Sequence, residues 1–240
     1  MKDNLKDLIQ HTHGIGGIEL VKIDGTDQET KIAAITEDKS VIVYGTFKTP
    51  LADFIGTFGM PNLSKLNTIV EFEDYGDDAI INVTRKEDVP TAIHFETKAG
   101  DFVNDYRLMA KVIVEDKIKN VAFKGATWNI EFEPQVTNIQ RLKKQAAANS
   151  EELFFTFKSD KNDLKIFFGD HSTHSGNFVF QAAVNGTLTR NNLQLPVKAF
   201  LSIMNLQGDK TVRISDQGVV EVVVDSGLAV YRYLLPSQAK

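Results

Sequence analysis

The chain has no cysteine among its 240 residues, which excludes disulfide frameworks and thiolate-bound metal and fits an intracellular protein. No run approaches the ~18 consecutive apolar residues of a membrane-spanning helix. The opening Met1-Lys-Asp-Asn-Leu-Lys-Asp carries acids and no apolar stretch, unlike a secretory signal, so a cytoplasmic location is expected. Catalytic signatures are missing too: no P-loop, no Ser-His-Asp grouping and no paired-carboxylate motif stands out. Nor is there an excess of basic charge. The formal net charge is −5, which argues against a protein that coats nucleic acid but leaves room for a local basic surface.

What is present is an ordinary globular composition, 42% hydrophobic and 25% charged, which makes wholesale disorder a poor reading. The length suits one large or two smaller domains, and an internal likeness selects two. Phe47-Lys-Thr-Pro-Leu-Ala-Asp-Phe-Ile and Leu193-Gln-Leu-Pro-Val-Lys-Ala-Phe-Leu share a constant offset, 196 − 50 = 146 and 200 − 54 = 146. Leu51, Phe54, Ile55 and Phe58 recur at helical spacing, as do Val197, Phe200, Leu201 and Met204. The spacing predicts two short amphipathic helices that open on proline. Three strand-like runs follow each: 68–73, 79–85 and 92–97, then 211–215, 219–225 and 228–235.

Elsewhere, Leu5, Leu8 and Ile9 place a helix over 4–12, with Lys2 and Lys6 on its flank. Gly14-Ile-Gly-Gly follows a helix and precedes a strand at 18–23, so it reads as a helix stop and not as a phosphate-binding loop. Strands are expected at 31–36 and 41–47, while the period is unclear from 100 to 125. A strand at 127–132 leads into a helix over 137–148, where Ile139, Leu142 and Ala146 share one side. Arg141 and Lys144 point the other way, Lys143 lies near the boundary, and no acid falls between Gln135 and Ser150. Lys198 adds a further cation on the helix that follows Pro196. The runs 152–157 and 163–168 predict a hairpin whose phenylalanines pack a core, and 177–184 continues the sheet. Asp170-His-Ser-Thr-His-Ser-Gly offers two imidazoles and a carboxylate, but without helical presentation or a general base it reads as a polar loop. His11 and His13 are too close in sequence to share a metal readily, so neither a metal nor any other cofactor is expected. In the final strand, alternation sends Ala229, Tyr231, Tyr233 and Leu235 to one face, and Pro236 ends the ladder.

Two like domains with two short helices each, closing on Tyr233-Leu-Leu-Pro-Ser-Gln, resemble the DNA sliding clamps. The resemblance is to the two-domain type of tailed phages, eukaryotes and archaea, proliferating cell nuclear antigen among them. It implies an α+β fold of two similar clamp domains, each of antiparallel sheets with two short helices, assembling into a ring. The domains would span 1–108 and 126–240, with a connector at 109–125.

The function implied is non-enzymatic: a processivity factor that encircles duplex DNA without reading its sequence. Its partners would be the C-terminal peptide of a replicative polymerase, an ATP-driven clamp loader and two further copies of itself in a homotrimer, with no membrane; for a phage protein the setting is the host cytoplasm. The resemblance places Lys2, Lys6, Arg141, Lys143, Lys144 and Lys198 toward DNA. It carries a partner-peptide pocket onto Val112, Val114, Tyr231, Tyr233, Leu235 and Pro236. Ring closure is expected through edge strands, 92–97 in the first domain and 177–184 in the second. A structural phage-particle protein built from duplicated sheet domains is the alternative, and a hydrolase or metal enzyme around Asp170, His171 and His174 is a third.

Overall fold

Alternating apolar residues build antiparallel sheets, and one-sided helices cover them, twice over in a computed structural model that describes residues 1–119, 123–169, 174–190 and 192–238. The chain divides into two units, Met1–Ala122 with Ser226–Tyr231, and Phe123–Asp225 with Arg232–Lys240.

In the first unit, α1 (Lys2–His11) precedes β1 (Leu20–Gly25), β2 (Thr30–Ile35), β3 (Ile42–Phe47) and β4 (Gly56–Pro61). Next come α2 (Leu63–Val70), β5 (Ile80–Lys86), β6 (Val89–Glu96), β7 (Val103–Arg107), β8 (Met109–Ala110) and α3 (Lys111–Lys117). The strands order as β8-β4-β1-β2-β3 and as β5-β6-β7. Helix α1 buries Leu5, Leu8 and Ile9 and packs on α2, which buries Leu63, Leu66, Ile69 and Val70.

The second unit opens with β9 (Ile130–Phe132), α4 (Val136–Ala148), β10 (Phe154–Asp160), β11 (Asp163–Phe168) and β12 (Gly176–Gln181). It continues with β13 (Leu193–Pro196), α5 (Val197–Met204), β14 (Asp209–Ser215), β15 (Val219–Asp225) and the end of β16 (Ala229–Pro236). Strand order is β13-β10-β11-β12, with β9-β14-β15-β16 as the other set, and α4 packs on α5. Phe155, Phe157, Phe180 and Phe200 meet as tilted and edge-on rings at 5.1–6.1 Å in this core, a geometry that suits their quadrupoles. Of the hairpin phenylalanines, Phe155, Phe157 and Phe168 are core residues as expected, while Phe154 is exposed and Phe167 half-buried.

The duplication is visible in connectivity. Strands β4-β1-β2-β3 correspond to β13-β10-β11-β12, β5-β6-β7 to β14-β15-β16, and the pair α1, α2 to α4, α5. Strand β3 has an outer neighbour in the start of β16, where the Lys48 N–H donates to the Leu228 carbonyl at 2.9 Å and Tyr231 lies against Gly45. Its counterpart β12 is the last strand of its sheet among the described residues. So is β7, the counterpart of β16.

Several sequence expectations need correction. Residues 51–58 are not a helix: a single 3-10 turn at Ala52–Phe54 leads into β4. Two glycines weaken helix there, since Gly56 has φ +112 and Gly59 faces Val114 with no room for a side chain. Phe54 and Phe58 are nonetheless both buried, in edge-on contact at 5.7 Å, and that shared burial is what the spacing detected. The first helix of the repeat is α2, so the true offset is 197 − 63 = 134, and Leu66, Ile69 and Val70 match Phe200, Ile203 and Met204. Residues 68–70 are helical, not strand, and β7 is the third strand of the first trio. Strand β6 pairs with both β5 and β7, so 92–97 is not an edge.

On the outer face of that trio, His94 Nδ1 lies 2.9 Å from Asp105 and Nε2 lies 3.1 Å from Glu96. The hydrogen bond to Asp105, then that to Glu96, raises the imidazole above its ordinary 6.5. A raised folded-state value means the stabilisation is complete below the unfolded value and is lost as pH rises through the folded one. The unfolding midpoint should therefore decline as pH rises above 6.5, and His94→Gln should flatten that slope. An NMR titration placing the ring at or below 6.5 would contradict this.

Candidate functional sites

Helix α4 is built from good helix formers, with Pro134 just ahead of it. It buries Asn138, Leu142 and Ala146 against β12 and α5, while Ile139 stays half-exposed. Arg141 and Lys144 are exposed, Lys143 is half-buried, and on α5 Lys198 is exposed opposite Phe200. None of these four cations forms an ion pair among the described residues. With no carboxylate between Gln135 and Ser150, the helix face is positive on a negative chain.

The helices of the first unit differ. The Lys2 ammonium donates to the Tyr75 carbonyl, and Lys6 lies 3.4 Å from Glu71, so both expected cations are engaged. Lys65 on α2 is exposed and carries no ion pair among the described residues.

A second feature lies on the outer face of β2 and β3. Antiparallel register sets Ala33 beside Tyr44 and Ile35 beside Ile42, all half-buried, where alternation would ordinarily put polar side chains. The end of α3 and Ile118 flank this face, leaving a groove of about 400 Å³ with Lys39, Asp116, Lys117 and Lys119 at its rim. Helix α3 is held by Val114, fully buried against Gly59 on β4.

The residues expected to form a partner pocket are scattered in character. Val112 is 80% exposed and Pro236 half-exposed, whereas Val114, Tyr231, Tyr233 and Leu235 are fully buried. Tyr231 stacks on His11 with ring centroids 4.5 Å apart, and its hydroxyl donates to Asp7 at 2.8 Å. His13 instead faces Glu19 at 3.0 Å. Asp170 and His171 lie outside the described residues; among those described, no group of three His, Asp or Glu is arranged to hold a metal. No described helix is long and apolar enough to cross a membrane.

No protein-family model and no curated protein sequence matches the chain. Among solved structures, one described as the C-terminal region of FEN-1 bound to A. fulgidus PCNA matches with a TM-score of 0.72. The match covers 100% of this chain and 96% of that one at 14% identity. The chain has the sliding-clamp fold.

At that identity the clamp likeness rests on element order and packing, not on shared residues. Sequence reasoning missed two features of this clamp fold. Lys65 was hidden because 68–73 read as a strand, although Leu63, Leu66 and Val70 already showed helical spacing. The groove was missed because its signal is unusual: 32–35 and 41–44 are apolar at successive positions, so both faces of β2 and β3 seek cover.

Gly59 sets how closely α3 approaches β4. A Cβ there would stand 2.9 Å from Val114 and 3.0 Å from Met109. Gly59→Ala should cost about 1–3 kcal/mol in denaturant unfolding and speed amide exchange in α3. Unchanged stability and exchange would mean that this contact does not anchor the helix.

Proposed function

We propose that the chain is a DNA polymerase processivity clamp: three copies close into a ring around duplex DNA and tether a polymerase through a short peptide. The observation that carries the reading is the repeat itself. Within the chain β3 finds its outer neighbour in the start of β16, while their counterparts β12 and β7 keep unpaired outer sides among the described residues. Pairing β12 of one copy with β7 of the next satisfies both edges by the same geometry. Because each copy offers one of each, the contact is head-to-tail and closes when the rotation permits.

The unpaired Arg141, Lys143, Lys144 and Lys198 suit contact with phosphates. They are few, which favours a lining that attracts the duplex without gripping it. The domain reading assigns 109–125 to the connector, which holds α3. The groove beside that helix takes the role expected of the terminal aromatics. Tethering acts by effective concentration, since a bound polymerase released from the primer end stays close to it. A closed ring needs an ATP-driven loader to thread internal DNA. The cargo is a replicative enzyme in the cytoplasm, and the clamp performs no chemistry.

Sedimentation at micromolar concentration should give three times the chain mass; a single-chain mass would contradict the ring. Arg141→Glu with Lys144→Glu should leave that mass and the melting temperature unchanged, because both side chains are exposed. The same pair should lower clamp-dependent polymerase stimulation at least roughly tenfold. Full stimulation would remove these residues from the DNA face.

A further inference from the structure

We infer that the groove over β2 and β3 selects a peptide whose apolar anchor is flanked by aspartate or glutamate. This rests on the tethering reading above and adds the chemistry of the partner. The floor is apolar: Ile35, Ile42 and Tyr44 lie on one face of the strand pair, and Ile118 borders them. Such a floor takes aliphatic or aromatic side chains and offers nothing to a nucleic-acid backbone.

The rim is basic. Lys39, Lys117 and Lys119 are exposed and form no ion pair among the described residues, and Asp116 is the one acid lining the groove, so the rim carries 3 − 1 = +2. Nearby acids are directed elsewhere or lie outside it. Asp38 accepts the Ser40 N–H at 2.9 Å within its own turn, Glu115 pairs with Lys111 at 4.0 Å, and Glu37 does not line the groove. On a chain of net charge −5, an acidic segment is repelled by the protein as a whole and attracted here, so charge sharpens selection as well as strengthening it. Three solvent-exposed pairs together amount to about a tenfold preference at low salt, fading as salt rises.

The test is selection from a random twelve-residue display library against the intact chain at low ionic strength. Apolar pairs flanked by Asp or Glu should emerge from the unaltered protein, and synthetic copies should bind about tenfold more tightly than versions with lysine flanks. Lys39→Glu, Lys117→Glu and Lys119→Glu together should reverse that order with no change in melting temperature. Ile42→Glu, or Tyr44→Ala if the former lowers the melting temperature, should abolish binding of all of them. Groove-dependent binders without acidic bias would overturn the charge inference and leave tethering intact. Absence of any binder sensitive to Ile42→Glu or Tyr44→Ala would overturn the peptide-docking reading itself. Displacement of the peptides by short duplex DNA would assign the lysines to phosphate and overturn the inference.

Discussion

Backbone groups at the end of a sheet must find partners, and this constraint shapes everything else in the chain. Each unit folds its strands into two sets and packs a pair of helices on them, which leaves the lateral edges and the apolar groove over β2 and β3. One edge is met at once, because the last strand begins beside β3. The remainder of that strand is fixed in the second unit by charge. Glu221, fully buried on β15, is held by Arg213 at 3.1 Å and by Arg232 Nε at 2.8 Å. A buried carboxylate tolerates that position only with such partners, so the pair of arginines pins β14, β15 and β16 in register. The edges unpaired among the described residues, β7 and β12, are then copies of strands whose pairing geometry is already defined.

Much of this architecture was legible in the sequence, and the errors have identifiable causes. The helices over 2–11, 136–148 and 197–204 and most strands follow from periodicity, and the final strand buries the face that alternation assigned to Ala229, Tyr231, Tyr233 and Leu235. The repeat was sensed in the wrong register. Phe54 and Phe58 share a core position through a turn and a strand, which imitates helical spacing. Thr68-Ile-Val alternates and is β-branched, which imitates a strand, although Leu63 and Leu66 bind it to a helix. The assignment of the terminal tyrosines to a partner-peptide pocket rests on the resemblance to sliding clamps, not on any local pattern. In the structure, stacking on His11 and the bond to Asp7 hold Tyr231 buried. No local pattern can report a partner 224 residues away.

Charge is distributed with the same logic. The chain is acidic overall, yet α4 and α5 present cations free of acids, while the helices of the first unit tie Lys2 and Lys6 into local contacts and leave Lys65. The two units therefore share a topology and differ in electrostatics. An arrangement of this kind draws a polyanion toward one set of helices with few contacts, and few contacts mean weak retention at any one position. In the ring proposed above, topological enclosure and not affinity would keep the chain on DNA.

Absence of cysteine makes the central claim directly measurable. Single cysteines introduced along β7, as Val103→Cys or Arg107→Cys, can be combined with one along β12, as Asn177→Cys or Val179→Cys, and oxidised in dilute solution. Complementary edges predict that at least one combination yields a covalent species of three chains and nothing larger, since a closed ring exhausts its ends. Monomer in every combination, or an open ladder of growing multimers, would contradict closure through these strands.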